Sequence, residues 1–214
     1  MRVLLLHGGW PGHEPAAIAT WAATTLFGDT ELVVVDDLAV LDRSELATFD
    51  LLCPLWTFGE LSEHQEDALL GSVADGLGLV AWHGNTSAFL TSRAHKHLLG
   101  GQFVAHPGGA HVDYTVRFRP DALTAGLGDV AVRSEQYYLL VDPAVHVLAT
   151  TEMVADDEPW LAGVEMPVAW TRSWGAGRVA YVSIGHGLEE LDIPEMTELL
   201  RRLVRWAARA QRSA

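Results

Sequence analysis

The residues best suited to do chemistry in this chain are imidazoles placed where apolar runs stop. His7 and His13 flank a glycine-rich stretch after the run at 3–6, His83 directly follows Gly78–Trp82, and His186 follows the late run at 177–183. In parallel α/β sheets ligands collect outside the carboxyl ends of the strands, so these positions come first in a search for a site. Imidazole changes charge near neutral pH and ligates metals through either ring nitrogen. Glu135, which opens the segment Glu135-Gln136-Tyr137-Tyr138, adds a carboxylate able to serve as general base or metal ligand. The catalytic candidates are therefore His83, His186 and Glu135. The metal-ligand candidates are His13, His83, Glu135 and His186, a donor set that suits zinc or a similar divalent ion. Plainer roles exist beside these: His7 as a strand cap, His13 as support for a helix amino terminus, Glu135 as a solvated strand edge.

The stretch His83-Gly84-Asn85-Thr86-Ser87 reads as a tight strand-to-helix turn that presents one side chain at the top of a sheet. Ser87 lacks the Gly-x-Ser-x-Gly context of a serine nucleophile, and Asn85, Thr86 and Ser87 have an alternative use as helix caps. Cys53 lies inside an apolar run, where a thiol packs rather than reacts. His95 and His97 stand two apart beside Lys96 and read as an exposed pair rather than a metal site. Trp10, Trp56, Trp82, Trp170 and Trp174 fall in or beside strand-end loops, and indole faces stack on sugar rings, although Trp82 and Trp170 read as core. The candidate substrate contacts are Trp10, His13, Trp56, Asn85, His106 and Tyr137.

These side chains need a scaffold. Short apolar runs alternate with longer amphipathic segments, the pattern of strands covered on both faces by crossover helices. Runs at 3–6, 31–36, 51–55 and 78–82 read as strands, with helices at 15–27, near 44–48, and from Ser62 to near Gly76. Ser62 followed by Gln65 is a capping-box pattern. Strand-like alternation at 111–118, 135–140 and 146–152 extends the same sheet, and 167–174 and 177–183 form a hairpin about Gly175-Ala176. A closing helix begins near Pro194 with Met196, Leu199, Leu200, Leu203, Val204 and Ala207 at helical spacing. Its acids Glu195 and Glu198 precede Arg201, Arg202, Arg205 and Arg209, an order that complements the helix dipole. The pattern is continuous, and one domain over 1–214 is expected.

Of the 214 residues 49% are apolar and 20% charged, ample material for a core. A net charge of −14, with Lys96 the only lysine, leaves no broad positive surface for a phosphate backbone or an anionic bilayer. Neither nucleic acid nor membrane is expected as a partner. The single cysteine excludes an internal disulfide and suits a reducing compartment. The run at 3–6 is too short for a signal-peptide core, and a cytoplasmic location is expected.

Several segments together resemble the ThuA-like (trehalose utilisation) family. Gly78-Leu79-Val80-Ala81-Trp82-His83-Gly84, followed by Leu98-Leu99-Gly100-Gly101-Gln102-Phe103-Val104-Ala105-His106-Pro107, is similar to its central signature. Gly12-His13-Glu14 resembles its His-Glu opening of the first helix, and Glu135-Gln136-Tyr137 its acidic-x-Tyr segment. Pro167-Val168-Ala169-Trp170-Thr171-Arg172, then Gly175-Ala176-Gly177-Arg178-Val179 and Ile184-Gly185-His186, is similar to its carboxyl-terminal strand pair and glycine-histidine turn. Arg119-Pro120 departs from the His-Pro that the family often carries. The resemblance spans nearly the whole chain. It implies an α/β fold with a mostly parallel sheet, flavodoxin-like or class I glutamine amidotransferase-like, with helices on both faces and an antiparallel extension.

The same resemblance implies carbohydrate utilisation, with a small-molecule sugar as partner. The catalytic cysteine of the amidotransferases would fall at the elbow that His83 occupies, so amidotransferase activity is not expected. One expectation is an enzyme of lyase, isomerase or hydrolase type, acting on a disaccharide or oxidised sugar derivative by histidine and carboxylate acid-base or metal-assisted chemistry. Another is a non-catalytic sugar-binding or regulatory protein on the same fold. Amidase or hydrolase chemistry with another nucleophile would need a Ser or Thr hydroxyl within hydrogen-bond reach of His83 or His186. Self-association into a homo-oligomer stays open.

Overall fold

In the first strand, β1 (Arg2–Gly9), Val3 and Leu5 join one buried cluster while Leu4 and Leu6 join another. Successive side chains of a strand point to opposite faces, so a run of leucines here means a sheet covered on both sides. The computed structural model describes residues 1–209. After β1 come α1 (Pro15–Thr25), β2 (Glu31–Val35), α2 (Arg43–Leu46), β3 (Leu51–Thr57), α3 (Glu63–Ala74) and β4 (Gly78–Trp82). The second half holds α4 (Arg93–Leu99), β5 (Gly101–Ala105), β6 (Val112–Phe118), β7 (Val130–Ser134), β8 (Tyr138–Val141), β9 (His146–Glu152), β10 (Glu165–Trp174), β11 (Gly177–Val182), α5 (Leu188–Leu191) and α6 (Pro194–Ala207).

Nine strands form one sheet in the order β2-β1-β3-β4-β11-β10-β9-β6-β7. The first five are parallel neighbours, and β10, β9, β6 and β7 continue the sheet antiparallel. With β11 as fifth strand the parallel part has the flavodoxin-like order, so the expected α/β architecture with its antiparallel extension is present. On one face Ile18 and Ala22 of α1 and Leu199 and Leu203 of α6 pack on Val3, Val80 and Val182. On the other, Leu69 and Val73 of α3 and Leu98 of α4 pack on Leu4, Leu52 and Tyr181. The apolar stripe of α6 is buried, and Ser62 and Gln65 close a reciprocal capping box on α3. The β10–β11 hairpin turns at Gly175, where φ is +59° and a Cβ would fall 2.5 Å from the Ala74 carbonyl oxygen, so only glycine fits.

Three expectations are corrected. The strand expected at 135–140 is broken: 135–137 lie outside any strand, and β8 pairs with β5 in a separate two-stranded sheet. Side chains take over the local bonding, because the Gln136 amide donates to Thr151 Oγ1 (3.0 Å) and the Glu152 carbonyl (2.9 Å) and accepts from the Val154 N–H (2.8 Å). His7 lies inside β1 rather than in a loop, since β1 and β3 stay paired as far as Gly9 and Thr57. His95 is buried, not exposed, because it shares the inner face of α4 with Leu98 and Leu99 at three- and four-residue spacing. His97 stays on the surface beside Trp174. Cys53 is buried in the core as expected, and no helix among the described residues is long and apolar enough to cross a membrane.

Candidate active site

The parallel strands β1, β3, β4 and β11 end at one edge of the sheet, and the histidines follow those ends. His83, first after β4, has φ of +43°, the left-handed region that a residue with a Cβ avoids at a cost of about 1–3 kcal/mol. Its backbone is held by neighbours. The His83 carbonyl accepts from the Tyr181 hydroxyl (2.7 Å) and the Thr86 hydroxyl (3.3 Å). The Lys96 ammonium reaches back from α4 and donates to the carbonyls of Thr86 (3.0 Å) and Ala88. A Cβ on Gly84 would fall 2.0 Å from Thr57 Oγ1 and 2.7 Å from His13 Nδ1, so the turn has to pass through glycine there. Glu14, Phe58 and Phe89 also have positive φ: Glu14 adjoins His13, Phe58 adjoins Thr57, and the Phe89 N–H donates to the Phe58 carbonyl. Strain is thus gathered around one edge of the sheet, where the surrounding structure must hold it.

His83 Nδ1 donates to the Ser183 carbonyl at 3.1 Å. Its Nε2 faces the Tyr137 hydroxyl (3.0 Å), His186 Nδ1 (3.2 Å) and Glu135 Oε2 (3.3 Å). The same carboxylate oxygen lies 3.4 Å from His186 Nδ1. His13 hydrogen-bonds Thr57 Oγ1 at 2.8 Å, and its ring centroid is 4.6 Å from that of His83 and 5.1 Å from that of His186. One ligand atom from each of His13, His83, Glu135 and His186 lies within 4.8 Å of the others. The N–H groups of Gly185 and His186 both donate to the buried Glu190 carboxylate at 2.9 Å, which fixes the turn bearing His186.

Burial pushes the Glu135 carboxyl up, but the close imidazoles of His186 and His83 outweigh it and hold Glu135 well below the usual carboxylate range. The Glu135 hydrogen bond raises His186 above the ordinary imidazole value against the opposing effect of burial. Burial, followed by the nearby His83 and His186, lowers His13 to about 3. Burial also pushes Tyr137 up, so the phenol keeps its proton. The cluster therefore combines an ionised carboxylate, a neutral imidazole and a proton-bearing phenol. Those are the protonation states that metal ligation and proton donation require.

His106 approaches Glu135 Oε1 at 3.8 Å from the open side. Trp10 is exposed and lies edge-on to His13, with ring centroids 4.7 Å apart. Trp56 is half-buried, stacks on Phe89, and its buried indole N–H has no hydrogen-bond partner. Asn85 has no exposed surface, and its amide donates to the Pro54 carbonyl at 3.2 Å. Trp82 and Trp170 are core residues as expected, and Arg119 pairs with Glu165. Among the described residues no Ser or Thr hydroxyl hydrogen-bonds His83 or His186 through the imidazole, the arrangement that an alternative nucleophile would need. Sequence reasoning missed Thr57 and Phe58, which the strand-end rule would have found had β3 been extended by two residues. It missed the role of Ser183, which acts through a main-chain oxygen and leaves no side-chain signal.

A family model described as ThuA, trehalose utilisation, matches residues 2–207. The structure is similar to that of a ThuA-like protein from Parabacteroides merdae, with TM-score 0.79 and 16% identity over 100% of this chain and 92% of that one. A ThuA-like protein from Bacteroides uniformis gives TM-score 0.77 and 19% identity over 96% and 90%. A cold-adapted β-galactosidase from Rahnella sp. gives TM-score 0.67 and 13% identity over 96% of this chain and 31% of that one. At these identities the likeness is one of fold. No curated protein sequence matches the chain.

Proposed function

The chain belongs to the ThuA family of trehalose utilisation, and on that premise we propose that it is an enzyme acting on a disaccharide or an oxidised sugar derivative, using a divalent metal ion such as zinc. The observation that carries this reading is the convergence of His13, His83, Glu135 and His186, whose ligand atoms lie within 4.8 Å of one another. The donor set fits such an ion. Three imidazoles and a carboxylate are borderline ligands of the kind zinc takes, and the bond from His83 Nδ1 to a backbone oxygen leaves the Nε2 lone pair facing inward. When bound, the ion would polarise a sugar carbonyl or hydroxyl.

The protein's own residues then divide the remaining work. Tyr137 keeps its proton and offers it at the hydroxyl beside His83. Glu135 stays ionised within the cluster, the state in which a carboxylate can ligate an ion. His106, 3.8 Å from Glu135 and partly exposed, stands where a proton would pass to solvent. The closeness of Glu135 Oε2 to both His83 Nε2 (3.3 Å) and His186 Nδ1 (3.4 Å) also favours a second reading, in which the same residues run acid-base chemistry without metal.

The test is turnover of trehalose and a keto-bearing derivative by protein stripped with a chelator and then reloaded with zinc or manganese. The metal reading expects activity lost on stripping, regained on loading and abolished by His83→Ala. Turnover indifferent to chelation would transfer the role to metal-free acid-base chemistry. Sugar binding without any turnover would leave a non-catalytic binding protein.

A further inference from the structure

Two large aromatic side chains stand in water beside the mouth of the cluster, Trp10 at 43% and Phe58 at 47% exposure. Their ring centroids are 6.0 Å apart and their planes meet at 53°. Burying such rings normally stabilises a fold, so keeping a pair exposed next to a polar pocket points to a ligand that covers them. Both are held in place. The six-membered ring of Trp10 lies over Gly12, where a Cβ would fall 2.4 Å from Cζ2, and its edge-on contact with His13 ties it to the cluster. Phe58 has φ of +62°, and its carbonyl accepts from the N–H of Phe89, itself at +50°. Two left-handed residues and one close backbone approach thus maintain an aromatic shelf outside His13.

A pyranose ring offers a face of C–H groups with its hydroxyls at the rim, and that face stacks on aromatic rings. The carboxylate of Glu14, next to His13, disfavours an anionic occupant of the shelf, and the only lysine is buried against the elbow carbonyls. The shelf therefore suits a neutral sugar ring rather than a sugar phosphate. We propose that Trp10 and Phe58 form an outer subsite that stacks one hexopyranose ring of a neutral glycoside whose other ring reaches His13, His83, Glu135 and His186. This rests on the carbohydrate reading above and adds that the ligand has two rings in separate subsites.

The experiment uses trehalose and glucose as probes, titrated calorimetrically into wild type, Trp10→Ala, Phe58→Ala and Gly12→Ala, with saturation-transfer NMR identifying the sugar protons in contact. Wild type should bind trehalose more tightly than glucose. Each aromatic truncation should weaken trehalose by about tenfold and change glucose by less than about twofold, since losing a stacked ring costs on the order of one decade in affinity. Gly12→Ala, which displaces the indole without removing it, should follow Trp10→Ala. Variants that bind trehalose as wild type does would overturn the subsite and leave the carbohydrate reading standing. Equal losses of trehalose and glucose would also overturn it, by placing the shelf inside a single-ring site. Failure of both sugars to bind wild type would remove the carbohydrate reading and the subsite with it.

Discussion

His83 and Ser183, 100 positions apart in sequence, are joined by a 3.1 Å hydrogen bond from the imidazole Nδ1 to the main-chain oxygen. The parallel pairing of β4 with β11 sets Val182 opposite Trp82, and the next residue on each strand meets as this pair. A carbonyl only accepts, so Nδ1 carries the hydrogen of the neutral ring and the Nε2 lone pair points at Glu135, His186 and Tyr137. Strand register thereby decides which nitrogen can work.

That assignment predicts the nitrogen spectrum. In 15N NMR of labelled apoprotein at neutral pH, His83 should show a protonated Nδ1 and an unprotonated Nε2, and adding zinc should move the Nε2 signal. A protonated Nε2 with a bare Nδ1 would contradict the geometry.

Gln136 should act on the cluster without touching it. It is buried, makes three hydrogen bonds to the end of β9 and to Val154, and sits between Glu135 and Tyr137. Gln136→Leu should lower zinc affinity by about tenfold or more, as losing an outer support of a ligand commonly does. Gln136→Glu, which keeps the shape and the oxygen, should fall between the two. Calorimetric zinc titration of folded variants measures this, and wild-type affinity in the leucine variant would refute the link.

Lys96 should be a structural brace of the elbow. Lys96→Met keeps the aliphatic stem but removes the donor that serves the Thr86 and Ala88 carbonyls. Buried acceptors left unpaired cost about 1–3 kcal/mol, so urea unfolding should show a loss of that size. An unchanged midpoint would mean that water replaces the ammonium at no cost.

The fold and the cluster were legible in the sequence to different depths. Runs such as 3–6 and 78–82 spell both-face burial, and the glycine-histidine and elbow motifs mark strand ends, so the sheet and His83, Glu135 and His186 could be read. The ends of β1 and β3 could not, because Gly8, Gly9, Trp56 and Thr57 carry no strand-like pattern and are paired only through register with each other. Glu135 was legible as a carboxylate but not its surroundings, since the break in the chain depends on distant Thr151 and Glu152. Phe58 was missed together with the end of β3, which it directly follows, and Asn85 was read as a ligand contact although the turn packs it inward.

His95, like His13, contributes to the acid slope of the stability profile. Burial, followed by the charge of Lys96, lowers its pKa from 6.5 to about 3. Between those values the unfolded chain binds a proton at this residue and the folded chain does not, so stability falls as pH falls through that window. A fully titrating group contributes about 1.4 kcal/mol per pH unit. His95→Leu should flatten the dependence between pH 6.5 and 3 in chemical denaturation, and a wild-type slope in the variant would assign it to other groups.

The central claim is that four side chains from separate strand ends hold one metal ion. Crystals soaked in zinc and measured at the zinc absorption edge test it most directly. The account predicts one anomalous peak at about 2.0–2.2 Å from ligand atoms of His13, His83, Glu135 and His186. Zinc bound elsewhere while these four side chains keep their hydrogen bonds to one another would contradict it.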